Sequence, residues 1–420
     1  MASYNAPAQY SVAVAQSDIP SAWLSDARPR VASGGSRRIL NIASQNGTIS
    51  SGQSMQFQLP AGMGAGFLVA GSAYIRFTVS ITQAVAYAWA FKQTGSASSV
   101  IQRMSAILSG SQAEVIQNYN KVYNSLLQHA TNGNYIANDS QIEEDTYGGA
   151  FNTTQTLTVC IPVGLGLLNA KQHLPLFLLS SAMVQCDLAS VLDAITQGSA
   201  NAVSEYSISQ AVFIAEQIVP DSAYEMGMKQ MLASRVYQLC FDTWYNTKYA
   251  GQNNITANLG LNTSSLRSVL WQSIPTLTAR NAFAPTDGGQ TSCYLTLDGA
   301  LVSNSNLSLV PEQYLEMNRA LGNMFDITRT SVGPQSVNAD AGTGDITIGS
   351  LTRGIYSAGA YLGGLSCQRS NDSSFSFVGT PVNQAVLSWA GTLASGEFHV
   401  FCALQQVLTV DMNGTVNLIR

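Results

Sequence analysis

Three histidines are the first residues to test for chemistry, because imidazole is the commonest metal ligand and general base near neutral pH. His129 falls at the end of a helical pattern, His173 in a loop, and His399 among alternating apolar residues on a late strand. None has a second histidine at metal-ligand spacing, and H-E-x-x-H is absent. Such isolated histidines read as structural. Neither a G-x-S-x-G elbow nor a G-x-x-x-x-G-K-[ST] phosphate loop occurs. Gly62-Met-Gly64-Ala-Gly66 follows Pro60 and leads into a strand, so it lacks the helix N-terminus that a dinucleotide loop needs. Glu143, Glu144 and Asp145 form the acidic triplet, near Asn138, Asp139 and Tyr147. Adjacent loop carboxylates are not the separated pair of glycosidase chemistry. A Ca²⁺ site is the alternative to a solvated loop, and the solvated loop is the simpler reading. No catalytic, cofactor-binding or metal-ligating residue is therefore assigned, and no enzyme activity is expected.

Other residue classes carry as little. Six cysteines, at 160, 186, 240, 293, 367 and 402, stand singly without C-x-x-C, which reads as small core residues in a reducing compartment. Eight N-x-[ST] triplets, from Asn46 to Asn413, are what a chain rich in Asn, Ser and Thr produces by chance. The aromatic group Phe241, Trp244, Tyr245 and Tyr249 could stack a sugar or base. Trp244 and Tyr245 would point to opposite faces of a strand, so packing against the preceding domain is the simpler use.

The elements that would position these side chains are mostly strands. Met55-Gln-Phe57-Gln-Leu59 alternates strictly, and Tyr74-Ile-Arg-Phe-Thr-Val79 does so in size and polarity. Further strands are expected at 100–109, 154–163, 176–187 and 206–219, then at 235–246, 253–260, 265–273, 291–298, 344–350, 374–378, 385–390 and 397–410. Between Gln112 and Ala130, Val115, Ile116, Tyr119, Val122, Tyr123, Leu126 and Leu127 follow the helical period, predicting one amphipathic helix. A second helix is expected from Pro311, a favoured first-turn residue, to about Met324. Each helix follows a strand ending in glycine, Gly110 and Gly299, which are 299 − 110 = 189 residues apart. The repeated order of strand, glycine turn and helix predicts two domains of one design. A hinge with a short helical run through Met226, Met228 and Met231 is expected at 220–233. Residues 1–38 read as an arm, with Arg28, Arg30, Arg37 and Arg38 against Asp18 and Asp26.

The chain has 420 residues, and its composition explains why chemistry is scarce. Hydrophobic residues make up 46% and charged ones only 10%, against a usual charged share of about 25%. Five lysines serve the whole chain. Interface cores are depleted in Lys, Glu and Asp, so such a surface suits being covered by other copies. The net charge of −5 excludes a general nucleic-acid glove. No apolar stretch reaches the roughly 20 residues of a membrane span, and no secretory signal is expected from MASYNAPAQYSVAVAQSD.

Several stretches together resemble a known family over residues 39–420. They are Ile49 to Pro60 followed by Tyr74 to Val79, the block Ile107 to Gln128, and Thr158-Val-Cys-Ile-Pro162 with Leu174 to Leu179 and Val184 to Leu188. In the second half they are Ser268-Val-Leu-Trp271 and the block Leu295 to Asn323. This pattern resembles the double jelly-roll major capsid proteins of icosahedral, tailless viruses. That lineage is typified by tectivirus and adenovirus coats, with polinton-like viruses, virophages and small bacterial viruses beside them. The resemblance implies an all-β fold with a few inserted helices and two tandem eight-stranded jelly-roll domains. The expected division is 1–38 arm, 39–219 first jelly roll, 220–233 linker with a short helix, and 234–420 second jelly roll. It also implies a homotrimeric, pseudo-hexameric capsomer that self-assembles into a shell around the genome, without cofactors. The implied partners are neighbouring capsomers, a penton or vertex protein and minor capsid proteins, with weak contact of the arm to genome or an internal membrane. The virion is the implied location. A trimeric viral spike or tail protein, or a β-sandwich carbohydrate-binding protein, is the alternative.

Overall fold

The computed structural model describes residues 35–82, 89–91, 97–130, 156–197, 205–233, 235–276, 285–302, 306–322, 337–339, 346–348, 361–368 and 378–419. The acidic triplet, residues 1–34 of the expected arm and most of the strand expected at 374–378 lie outside them.

Eight long strands organise the first half: β1 (Gly35–Ala43), β2 (Ser54–Leu59), β3 (Tyr74–Thr82), β4 (Ile101–Leu108), β5 (Ser111–Gln117), β6 (Thr156–Pro162), β7 (Ala182–Leu188) and β8 (Glu205–Pro220). They pair antiparallel as β1-β8-β3-β6 in one sheet and β2-β7-β4-β5 in the other. The first strand pairs the eighth, the second the seventh and the third the sixth, as in a jelly roll. The alternation read from sequence places Met55, Phe57 and Leu59 of β2 and Ile75, Phe77, Val79 and Ile81 of β3 between the sheets. These side chains are removed from water while their neighbours face outward, which is the main force holding each sandwich closed.

The second half repeats the scheme. Its strands are β9 (Tyr237–Ala250), β10 (Asn254–Asn258), β11 (Thr263–Ile274), β12 (Ser292–Leu297), β13 (Ala300–Leu301), β14 (Gly363–Ser366), β15 (Ala385–Ala390) and β16 (Glu397–Val410). The sheets are β9-β16-β11-β14 and β10-β15-β12-β13, the same order with every number raised by eight. At its centre the Gln290 carbonyl accepts from Trp271 Nε1 at 2.9 Å, Trp389 Nε1 at 3.0 Å and the Tyr361 hydroxyl at 3.0 Å. One buried amide oxygen thus satisfies three aromatic donors that would otherwise be costly to bury.

Gly110 and Gly299 occupy the same turn in the two halves. Ser109 and Gly110 (φ 49° and 79°) join β4 to β5, and Asp298 and Gly299 (φ 47° and 83°) join β12 to β13. Paired positive φ values are those of the tight hairpin turn that matches strand twist. This turn corrects the helix expected from Gln112. It folds Ser111–Gln117 back onto β4, with Arg103 opposite Gln117 and Leu108 opposite Ser111. Val115 and Ile116 are therefore strand residues, and helix α1 (Tyr119–Ala130) begins only after Asn118, at φ 47°. The segment expected as a strand from 176 starts instead as a 3₁₀ turn, Leu176–Leu178, with β7 following. Helix α2 (Ser222–Met231) lies in the segment read as a hinge, and α3 (Val310–Ala320) carries Pro311 in its first turn.

Candidate functional site

With no catalytic constellation assigned, the structured polar chemistry concentrates where the two jelly rolls meet. β5 and the 3₁₀ turn Gly166–Asn169 of the first half lie against β9 of the second, and α1 reaches β11 and β16 through Ser125 and Lys121. Glu114 of β5 is buried there. Its Oε1 accepts the Gly166 N–H at 2.9 Å and its Oε2 the Leu167 N–H at 2.8 Å. Burial pushes its carboxyl up to about 7, against the opposing pull of Thr243 from β9 and the two N–H donors. A Cβ on Gly166 would stand 1.6 Å from the Asp242 carbonyl oxygen, so only glycine lets this turn touch β9. Glu114 thus pins the loop that carries the closest backbone contact of the seam.

A second polar set lies further along β9. Asn118 donates to Asn246 Oδ1 at 2.5 Å and accepts from Gln102 at 2.6 Å. Ser125 of α1 donates to Gln272 of β11 at 2.9 Å. Lys121, only 2% exposed, reaches Glu397 Oε2 at 3.0 Å and Asp193 at 3.5 Å. Glu397 also meets Lys248 at 2.8 Å and His399 Nε2 at 3.0 Å. The His399 hydrogen bond and the two ammonium groups hold the Glu397 carboxyl well below the usual range, against its partial burial. Burial lowers His399 to about 4, although Glu397 opposes that shift. His399 is therefore a neutral imidazole donating to a carboxylate, which is a structural role.

The other residues singled out by sequence fall elsewhere. His173 accepts from the Ala70 N–H at 3.2 Å through Nδ1, and its carbonyl accepts from the Tyr237 hydroxyl at 2.9 Å. His129 ends α1. Gly64 and Gly66 do present N–H groups to an anion, but the anion is the chain's own Glu225, at 2.7 and 3.0 Å. That carboxylate clamps α2 onto the turn before residue 67, beside an open cleft of about 670 Å³ lined by Gly35, Met63, Pro220 and Asp221. Phe241 is buried, and Trp244 packs against the cluster that holds the first-half core. Tyr245 is 40% exposed on the other side. All six cysteines are free thiols, four of them buried. Among the described residues no three His, Cys, Asp or Glu side chains come together to hold a metal.

Glu114, Lys121 and Glu225 were not singled out by sequence reasoning. Their one signal was a charge set in an apolar pattern of a chain that has few charges, as in Ala113-Glu114-Val115.

No family model and no curated protein sequence matches the chain. Solved structures do. The PBCV-1 virus capsid protein superposes with a TM-score of 0.60 at 12% identity, covering 94% of this chain and 99% of that one. The PBCV-1 VP54 structure fitted into a reconstruction of the virophage Sputnik gives 0.58 at 12% identity, with the same coverage. The Faustovirus major capsid protein gives 0.57 at 6% identity, covering 97% and 94%. Similarity at such identities, spanning both chains almost end to end, is similarity of fold. Together with the repeated strand order, it establishes that the chain has the double jelly-roll fold of these viral capsid proteins.

Proposed function

We propose that the chain is a viral major capsid protein, forming homotrimeric, pseudo-hexameric capsomers that assemble into an icosahedral shell around a genome. The observation that carries this reading is the side-by-side joining of two jelly rolls with one strand order through a buried polar seam. Two such units per chain make three chains a six-unit tile, and a repeated head-to-tail contact gives a ring when its rotation closes. The charge-poor composition supports it, because specific interfaces bury about 1,200–2,000 Å² and their cores are depleted in Lys, Glu and Asp. The protein acts by assembly and not by catalysis. Its units are the expected arm 1–38, of which Gly35–Arg38 already belong to β1 and pair with β8, jelly rolls 39–219 and 234–420, and the linker 220–233. Its partners are its own copies, a vertex protein and minor capsid proteins, and the arm contacts genome or an internal membrane within the virion.

Negative-stain electron microscopy of the purified chain tests the proposal. Six-cornered particles, or closed shells built from them, are expected. A field of monomers or compact dimers in assembly-promoting salt would instead favour a β-sandwich binding protein.

A further inference from the structure

Helix α2 is apolar on both of its sides, yet only one side is packed. Glu225, Met228 and Leu232 turn inward. Glu225 is held by the Gly64 and Gly66 N–H groups, while Met228 and Leu232 join the first-half core. The outward side carries Ala223, Met226, Gly227, Gln230 and Met231, and no charge. Met226 is 59% exposed and Met231 63%. Tyr224, on the flank beside the Phe67 ring, and Met63, across the cleft, are exposed as well. A helix that is apolar all round is normally a buried one, and unbranched methionine adapts readily to a docked segment.

The chain itself brings a candidate cover to this place. Gly35, the first residue of β1, pairs with Pro220, and Asp221 next to it caps α2. Gly35 and Asp221 line the same cleft. Residues 1–34, outside the described residues, therefore enter the fold beside the first turn of α2. They include Ile19-Pro-Ser-Ala-Trp23-Leu24 between Asp18 and Asp26. Trp23 precedes Gly35 by 35 − 23 = 12 residues, a reach of about 40 Å. The ten residues of α2 span only about 15 Å. The charges match in order as well. Counted back from Gly35, the arm carries Arg30 and Arg28, then Asp26 and Asp18. From its start, α2 offers Asp221, then Lys229 in its last turn and Arg235 just beyond.

We propose that residues 18–26 dock on the outward face of α2 of their own chain, running antiparallel to the helix. Trp23 and Leu24 cover Met226 and Met231, Arg28 and Arg30 pass Asp221, and Asp26 meets Lys229 and Arg235. Residues 1–17 remain available to other partners. The contact lies within one chain and stands whether or not shells form.

The test uses the full chain and chymotrypsin, which cuts after aromatic residues. Tyr10 lies outside the docked segment and Trp23 within it, so one site is the control for the other. In the wild type, cleavage after Trp23 is expected to be at least tenfold slower than after Tyr10. A variant carrying Met226→Asp and Met231→Asp alters two exposed positions so that folding is preserved, which melting curves check. It should bring the two rates together. Acrylamide quenching of Trp23, isolated by subtracting the Trp23→Phe chain, should rise in the same variant. The variant is then refolded together with a Trp23→Ser chain, whose α2 is intact, and its Trp23 should stay as readily cut. A wild-type Trp23 cut as fast as Tyr10 overturns the inference and leaves the face to another molecule. Protection that survives in the α2 variant overturns it too. Protection regained in the mixture would assign the contact to a neighbouring copy and likewise overturn it.

Discussion

Lys121 sits almost sealed from water between the jelly rolls, and the carboxylates of Glu397 and Asp193 are what make its charge tolerable there. Removing one partner of a buried pair leaves an uncompensated charge, whereas removing the charge itself is far milder. Glu397→Gln is therefore expected to cost about 3 kcal/mol, and Lys121→Met about 1 kcal/mol or less, in denaturant unfolding. Equal losses would contradict this assignment. Glu114 sets a pH dependence of the opposite sign to the other seam groups. Its carboxyl is raised to about 7 in the folded chain, from an ordinary 4.5. Its protonation thus stabilises the fold fully below pH 4.5, and that contribution is lost as pH rises through 7. His399, lowered to about 4, and Glu397, lowered as well, act the other way and weaken the fold as acid is added. Comparison with Glu114→Gln isolates the first effect. The stability difference between wild type and variant should shift by up to about 3 kcal/mol in favour of wild type from pH 8 to pH 5. A difference independent of pH would show that Glu114 does not titrate in this window.

Backbone contact sets how closely the elements of the seam approach. The Gly166 turn lies on the Asp242 carbonyl, and Gly414 in the second half lies over the Leu178 carbonyl of the first, where a Cβ would come within 2.5 Å. Side chains cannot retreat from such contacts, so one methyl group must displace a whole element. Gly166→Ala is expected to destabilise the chain by about 2 kcal/mol or more through overpacking. Urea unfolding measures it, and a neutral result would mean that the turn moves freely away from β9. The same scale explains where helix and strand were confused. Tyr119, Val122 and Tyr123 do form a helix, but Val115 and Ile116 continue its period only by coincidence. A short apolar run satisfies both periods, and the Ser109–Gly110 turn decided the matter by returning the chain to pair with β4.

For the whole molecule, the scarcity of charge acquires a place. The few charged groups present include a cluster at the seam, Lys121, Asp193, Glu397 and Lys248, and a pair on β1, Arg37 with Glu216 and Arg38 beside Gln217. A chain this rich in Ser, Thr, Asn and Gln would make many individually weak, wet contacts, which suits the reversible assembly proposed above. The expected particle of three chains has a mass of about 134 kDa, three times the 44.6 kDa of one. Analytical ultracentrifugation would detect it directly, and a single species at the monomer mass would argue against the tile.

Sequence alone determined what depends on local period and turn chemistry. The alternation of β2 and β3, the paired glycine turns at 110 and 299, the helix begun by Pro311 and the absence of catalytic motifs were all legible, because each rests on neighbours within a few residues. Tertiary structure decided what depends on distant partners. No local pattern says that β1 pairs with β8 across 169 to 185 residues of chain, with Gly35 opposite Pro220 and Ala43 opposite Val212. Nor does any say that Glu114 would meet a turn 52 residues away, or that Lys121 would find Glu397 at a separation of 276. A buried charge is specified by the groups that close around it, and those groups are brought together only when both jelly rolls have folded.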